Sequence, residues 1–364
     1  MQTTQDNAQA NTLNPIAQGF QEENAPAPIL SKSVPYDERL SSWEMSQLRL
    51  IYQANSSMKC ILQYFVAKAQ DPEIKAMMND ALNIILPQQS TITTLFNSVG
   101  FPVPHGFTDE DVKINAKRLY SDSLMLSFHR AIIRFRLVQL AHALPLATRP
   151  DARDFFNDAL VQEQNLFNKA EDLLTKKGIN VKPPYTPVPD RVKYIADNSW
   201  YGNLFGSERP INILELTQVF KRLENKLVEN AIQLGFTQVV KDPKIKAYFS
   251  RGLNIFDKEI EKWSKVLNKE DMILPMSWKS EVTDSSESPF SDKLMLFRTV
   301  LNIAYSVYAN GFALANCNRT DLVTAFAKVE LNLSSYGKDG LDLMIANGWM
   351  EEIPLAVDRK GLKH

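Results

Sequence analysis

The chain has 364 residues, with 41 Lys and Arg against 42 Asp and Glu, so its formal net charge is −1 at pH 7. This balance gives no global field for nucleic acid or an anionic membrane. The absence of an apolar stretch of about 18 residues argues against a membrane span. The two cysteines, Cys60 and Cys317, lie in apolar patterns typical of a reduced compartment, so we expect a cytoplasmic protein.

Residues 1–39 are rich in Gln, Asn, Ala and Pro and show almost no apolar periodicity. They lack the basic and apolar regions of a secretory signal. This composition predicts a disordered N-terminal tail.

Residues 40–178 are divided by capping and helix-ending residues into four predicted helices of about 25 residues each. The signals are helically spaced apolar residues from Leu48 to Val66, a start at Asp71–Pro72 with a stop at Val99–Gly100, a start at Ser121–Asp122, and a start at Arg149–Asp151 with a stop at Lys177–Gly178. A helix of this size is about 38 Å long. The connection from Gly100 to Tyr120, about twenty residues, can reach about 66 Å and so can cross the whole bundle.

This long loop between two short-linked hairpins predicts an all-α fold, the up-down-down-up arrangement of a ferritin-like four-helix bundle. A simple up-down-up-down bundle is the alternative. Residues 179–211 form a linker rich in Pro and aromatic side chains, which we expect to pack across a domain junction. In residues 212–364 the same helix signals recur near Asn212, Asp242, Ser291 and Arg319, and the last helix ends before Gly348.

The second bundle repeats the first at a nearly constant offset. Asp71–Lys75 returns as Asp242–Lys246, an offset of 171, and Ser121–Leu126 returns as Ser291–Leu296, an offset of 170. A self-match of this length indicates internal duplication. Because tandem copies can supply a bundle-to-bundle contact internally, we expect a monomer that acts as a pseudo-dimer.

A ferritin-like bundle raises the question of a di-metal centre, which needs Glu-x-x-His on two of its helices. None of the four histidines (His105, His129, His142 and His364) follows a Glu by three residues. We therefore predict no conventional metal site and no cofactor. Glu163, His129 and His142 remain candidates for an unconventional site in the first copy.

Six carboxylate pairs are kept in both copies, and most lie at predicted helix N-termini, where an acid satisfies free N–H groups. The pairs are Glu44/Glu215, Asp71/Asp242, Glu110/Glu281, Asp122/Asp292, Asp151/Asp321 and Asp172/Asp342. Glu163, in the middle of a helix, is replaced by Leu333. The retained acids are therefore interpreted as structural, and no catalytic residue is predicted.

Two further polar features remain open. Arg130, Arg134 and Arg136 form a basic stretch that favours a salt-bridged stripe over an anion site. The crossover loops share an aromatic residue and a Glu, and the simpler interpretation is that the aromatic residue plugs a bundle end while the Glu caps a nearby helix or pairs with a basic residue. The alternative is an interaction rim formed by Phe107, Glu110, Trp278 and Glu281.

Four segments carry a resemblance to a known family: Asp71–Ile74, Gly106–Val112, Met276–Asp284 and Pro289–Met295. In these the chain resembles uncharacterised proteins of spore-forming bacteria that are classified only as a domain of unknown function. The resemblance covers about Leu40 to the C-terminus. It implies two tandem ferritin-like bundles, distantly akin to spore coat proteins of the coat F type, and it implies no activity.

The leading functional hypothesis is a non-enzymatic helical protein, linked to sporulation or the spore coat, whose partners are proteins. One alternative is a metal- or oxygen-handling enzyme with an unconventional site in the first copy. Another is a small-molecule binder that uses a cavity of the bundle.

Overall fold

The structure is a computed structural model, and it describes residues 39–179, 181–202, 208–356 and 358. The predicted tail, apart from Arg39, and His364 lie outside this range. The described residues are all-α. The helices are α1 (Ser42–Lys68), α2 (Pro72–Asn97), α3 (Asp122–Ala143), α4 (Pro150–Lys176), α5 (Ile213–Val239), α6 (Pro243–Lys269), α7 (Asp292–Asn316) and α8 (Thr320–Ala346).

Several of the acids retained in both copies cap helix starts, among them Glu44, Asp71, Glu215 and Asp242. At the start of α1, Ser41 and Glu44 form a capping box, and Asn212 and Glu215 do the same for α5. The same Glu44 carboxylate reaches across the bundle and accepts hydrogen bonds from the backbone N–H groups of Thr148 (2.8 Å) and Arg149 (2.7 Å). This acid therefore ties the start of α1 to the start of α4.

Contacts between helix ends establish the directions of the helices. Trp43, at the start of α1, donates to the carbonyl of Ala143 at the end of α3 (2.8 Å). Lys177, just after α4, binds Asp71 at the start of α2 (2.5 Å). Thus α1 is antiparallel to α3, and α2 to α4. The predicted up-down-down-up arrangement is present, whereas kinship with ferritin stays a prediction.

The two crossover loops pair with each other across an internal pseudo-two-fold axis. They form antiparallel bridges between Val112 and Phe290 and between Tyr120 and Val282. The backbone hydrogen bonds come in symmetric pairs: Lys113 to Pro289 (2.7 Å) with Thr283 to Leu119 (3.0 Å), and Ser121 to Glu281 (2.9 Å) with Ser291 to Asp111 (3.0 Å). Reciprocal contacts of this kind are those of a two-fold dimer.

This symmetry also corrects the alignment of the loops. The carbonyl that mirrors that of Glu281 belongs to Asp111. The offset between the copies therefore changes from 171 to 170 before this point, and Asp111, rather than Glu110, is the structural counterpart of Glu281.

One apolar core continues from the first bundle into the second. Phe290 of the second crossover loop packs edge-on against Tyr64 of α1 (5.2 Å between centroids) and Phe236 of α5 (6.1 Å). The Tyr120 hydroxyl donates to the carbonyl of Ile232 (2.9 Å), and its ring lies so close to Gly235 that a Cβ there would be 2.5 Å away. The two bundles are therefore joined by buried aromatic and apolar contacts.

The middle of the linker does not pack across this junction, contrary to expectation. Tyr185, Val188, Val192 and Tyr194 are between 82% and 94% exposed. The crossover loops already fill the junction, and prolines in the linker lack the N–H group needed to pair with them. Both ends of the linker contact the bundles: Ile179 and Val181 pack against the core, and the Thr320 hydroxyl of α8 donates to the carbonyls of Tyr201 (3.1 Å) and Gly202 (3.3 Å).

The structure also bears on two further sequence features, the lack of a long apolar stretch and the two cysteines. In the described part of the chain, no helix combines the length and the apolar character needed to cross a bilayer. Cys60 and Cys317 are free and buried.

Candidate functional site

The first bundle has a buried polar centre to which each helix contributes one side chain. The Arg136 guanidinium of α3 donates to Glu163 of α4 (2.6 Å), to Gln88 of α2 (2.8 Å) and to Asn55 of α1. All four residues are at most 5% exposed. A cation thus occupies the middle of the bundle, surrounded by three acceptors.

The second bundle has a comparable centre built from different residues. Lys226, Glu259 and Ser306 occupy the positions of Asn55, Gln88 and Arg136 by the offsets of 171 and 170. The Lys226 ammonium binds Glu229 at 2.5 Å and Glu259 at 3.5 Å. Although burial alone would raise it, the pKa of Glu259 is lowered because Arg222 and Lys226 stabilise its charged form.

These centres do not fit a di-metal site. Metal clusters in bundles need several free carboxylates and imidazoles directed inward. Here Glu163 is paired with Arg136 (2.6 Å), and Glu259 is paired with Arg222 (2.8 Å), so a metal cation would have to displace a fixed positive charge. Across the described ranges, no group of three His, Cys, Asp or Glu side chains is placed to hold a metal ion.

The three candidate metal ligands predicted from the sequence have different surroundings and do not form one site. Glu163 belongs to the first polar centre, and His142 is exposed at the far end of α3, against the Trp43 ring at 4.9 Å. His129 is only 3% exposed, and neither of its ring nitrogens has a hydrogen-bond partner within the described protein. Burial, together with the charges of Arg136 and Arg298, lowers the pKa of His129 to about 3.

The four crossover-loop candidates are divided between the junction and the surface. Phe107 is 6% exposed and packs against Phe297 of the other copy at 4.9 Å, and Trp278 is 5% exposed. Glu110 is exposed and Glu281 is half-buried. The aromatic side chains thus lie inside the protein, and only the acids border the solvent.

The basic stretch on α3 is divided between two sites. Arg130 and Arg134 each bind both Glu171 and Glu224 at 2.6 to 3.3 Å, whereas Arg136 belongs to the polar centre. We call the boundary between the two bundles the seam. These ion pairs close one side of it, where α3 and α4 meet α5. The salt-bridged interpretation of the stretch therefore fits the contacts observed.

A site on the opposite side of the seam was missed by the sequence reasoning. The Glu351 carboxylate, beyond the end of α8, accepts from Arg49 (3.2 Å), Gln53 (3.3 Å) and the backbone N–H groups of His105 (3.1 Å) and Gly106 (3.3 Å). We call these four donors the carboxylate notch. Gly106 has a φ of +62°, and a Cβ there would lie 2.6 Å from the Ser56 hydroxyl, so glycine is required.

A pocket of about 180 Å³ adjoins the carboxylate notch, and we call it the seam pocket. Its apolar walls include Leu50, Phe297, Val300, Leu301, Leu341 and Met344. The sequence contains one indication of this site, which is a difference between the two copies. Arg49 is replaced by Phe220, and Glu351 by Val181, at the equivalent positions.

Arg298 of α7 is a buried charge without an anionic partner in the described part of the chain. It is 1% exposed, and among the described residues it has no hydrogen bond or ion pair; the Phe128 ring lies 5.9 Å away, and Tyr305 interacts with it electrostatically. Burial lowers its pKa to about 10. It lies at the contact between the two copies, on the helix that faces α3.

The fold and these centres define a class of protein: a tandem pair of four-helix bundles joined as an internal pseudo-dimer. A family model matches the chain twice, at residues 29–192 and 200–362. The chain belongs to this family, which is described as "Protein of unknown function (DUF3231)". The two matches confirm both the duplication and the family resemblance.

One solved structure is similar to part of the chain. It is a crystal structure of a candidate spore coat protein from Bacillus halodurans, with 18% sequence identity and a TM-score of 0.38. The match covers 42% of this chain and 99% of the other. No curated protein matches the chain.

Proposed function

We propose that the chain is a non-enzymatic structural protein, a rigid double bundle whose role is to bind other proteins. The observation that carries this proposal is the internal pairing of charge in both polar centres. Arg136 with Glu163, and Lys226 with Glu229, are each at most 8% exposed, so their charges are directed at each other and not at a substrate.

The nucleophilic side chains support the same conclusion. Burial raises the pKa of the Cys60 and Cys317 thiols to about 12, so both stay protonated and unreactive near neutral pH. His129 is neutral and enclosed, which removes it from proton exchange with a substrate.

The exposed linker is the proposed protein-binding element. Tyr185, Val188, Val192 and Tyr194 expose their apolar side chains to solvent within ten residues of the chain, and such exposure favours a role in binding another protein. Its Pro-rich first half, Lys182–Pro189, favours the extended conformation that fits grooves lined by aromatic residues. A location in the cytoplasm or on the spore, in line with the family resemblance, is part of this proposal.

Elemental analysis and a turnover screen test the non-enzymatic character. After growth in medium supplemented with iron and manganese, we expect less than about 0.1 metal ion per chain, because a cation already fills each centre. Stoichiometric metal, with turnover abolished by Glu163→Gln, would establish the enzyme alternative and end this proposal.

A photo-crosslinking residue tests the linker. We expect a probe at Val188 to crosslink one partner reproducibly in a spore-forming host, and a probe at Leu331, which is 73% exposed on α8, to crosslink none. Equal labelling from both positions would exclude the linker as a specific element. Light scattering at micromolar concentration is expected to give the mass of one chain.

A further inference from the structure

We infer that the carboxylate notch and the seam pocket together bind a small amphipathic monocarboxylate, which takes the place of Glu351. This goes beyond the proposed structural role, since it assigns a ligand to a different part of the molecule. The starting point is that the protein already places a carboxylate there, on four converging donors from the first copy.

The Glu351 carboxylate is held loosely enough to be exchanged. Its four hydrogen bonds measure 3.1 to 3.3 Å, whereas charge-assisted bonds are usually about 2.7 to 2.9 Å. The Glu351 side chain is 27% exposed, while that of Arg49 is 9% exposed. Partly exposed pairs contribute only about 1 kcal/mol or less, so a ligand can compete with this internal carboxylate.

The charge around the pocket favours a further anion. Two cations, Arg49 and Lys293, line it together with the single carboxylate of Glu351. Among the described residues, the Lys293 ammonium otherwise contacts the Phe107 ring (4.9 Å) and the carbonyl of Gly106 (3.4 Å). One positive charge is thus left over at the edge of an apolar cavity.

The shape of the site fits an apolar body attached to that anion. A volume of about 180 Å³ accommodates roughly six groups of the size of a water molecule. Its walls are aliphatic and aromatic, with the donors gathered at one end, which is the usual arrangement in sites for small ligands. A monocarboxylate of about six carbons matches both parts.

The seam pocket does not follow from the bundle fold alone, because the equivalent place on the opposite side of the seam is closed. There the equivalent positions hold Arg130, Arg134, Glu171 and Glu224, which close the seam with four ion pairs. On the pocket side, the offsets of 170 and 171 place Val300, Ala304, Leu341 and Gln53 at these positions. Copy-specific loss of the whole network is what opens the cavity.

The test measures hexanoate binding to the full-length protein by calorimetry, with hexylamine and hexanol as probes of equal size. Three variants are compared with the wild type: Glu351→Gln, Arg49→Gln and the control Glu352→Gln, whose side chain is exposed beside the notch. Hydrogen exchange at residues 349–356 reports whether the C-terminal segment is released.

We expect hexanoate alone to bind, about fivefold more tightly to Glu351→Gln and more than about tenfold more weakly to Arg49→Gln. Glu352→Gln should match the wild type, and hexanoate should accelerate exchange at residues 349–356. The inference is overturned if Glu351→Gln and wild type bind equally, if hexanol binds as well as hexanoate, or if no variant binds at millimolar concentration. The Glu351→Gln change alters a partly exposed side chain outside the apolar core, so failure to fold does not obscure the result.

Discussion

Tyr248 and Tyr336 stack face to face between α6 and α8, with ring centroids 4.3 Å apart, and each hydroxyl donates to the other residue's backbone carbonyl (3.1 and 3.2 Å). Each ring also rests on a glycine of the facing helix, Gly340 and Gly252 respectively. In the first copy, the corresponding residues of the tyrosines are Met77 and Leu166. The pair is therefore specific to the second bundle, and it sets the spacing of these two helices.

Gly252→Ala is expected to destabilise the protein by about 1–3 kcal/mol, since overpacking a filled core forces neighbours to move. The new Cβ would lie 2.1 Å from the Tyr336 hydroxyl, which is buried and cannot swing away. Gly311→Ala on α7 meets no atom within 4 Å and should stabilise the helix by about 0.5–1 kcal/mol. Urea unfolding measures both variants, and equal effects would contradict the packing argument.

The polar centre of the first bundle predicts strong coupling between Arg136 and Glu163. Replacing Glu163 with Leu, the residue of the second copy, leaves a buried guanidinium without its anion and should cost about 3–5 kcal/mol. The double change Arg136→Met with Glu163→Leu removes both charges and should recover most of that loss. A double-mutant cycle by urea unfolding measures the coupling, and additive losses would show that the pair is not a unit.

Arg298 gives a prediction of the opposite sign. Because its guanidinium is buried and unpaired, Arg298→Met should raise the free energy of unfolding by about 1–3 kcal/mol. Arg222→Met, at a residue bound to Glu259 at 2.8 Å, is the matched control and should destabilise by about 3 kcal/mol or more. A lower melting temperature for Arg298→Met would mean that this charge is compensated in solution.

Helix boundaries and directions could be predicted from the sequence because their signals are local. Asp71 and Asp242 each accept hydrogen bonds from the backbone N–H groups two and three residues later in the chain. Such caps can therefore be recognised within a few consecutive residues. The crossover loop was predictable from its length alone. The duplication then made each signal appear twice.

The seam could not be predicted because its contacts join distant parts of the chain. Glu351 binds Gln53, almost 300 residues earlier, and no periodicity relates the two. The exposure of Tyr185 and Tyr194 was missed for a related reason, since composition does not reveal that the crossover loops already occupy the junction. The residues at which the two copies differ, such as Arg49 and its counterpart Phe220, were the sequence feature that pointed to the seam.

The buried imidazole of His129 predicts a loss of stability in mild acid. Its pKa is lowered to about 3 in the folded protein, mainly by burial, against about 6.5 in an unfolded chain. Below pH 6.5 the imidazole of His129 takes up a proton in the unfolded chain, whereas in the folded protein it stays neutral until about pH 3. Stability is therefore complete above pH 6.5 and falls by about 1.4 kcal/mol for each pH unit below it.

Urea unfolding at pH 7.5, 6.5 and 5.5 measures this slope, in a range where most carboxylates remain charged. His129→Leu removes the titrating group, so the stability of this variant should change by less than about 0.5 kcal/mol over the same range. His142→Leu, at the exposed end of α3, should retain the wild-type slope. If His129→Leu is as sensitive to pH as the wild type, the imidazole is not the group that links protonation to unfolding, and its enclosure in the folded protein is incomplete.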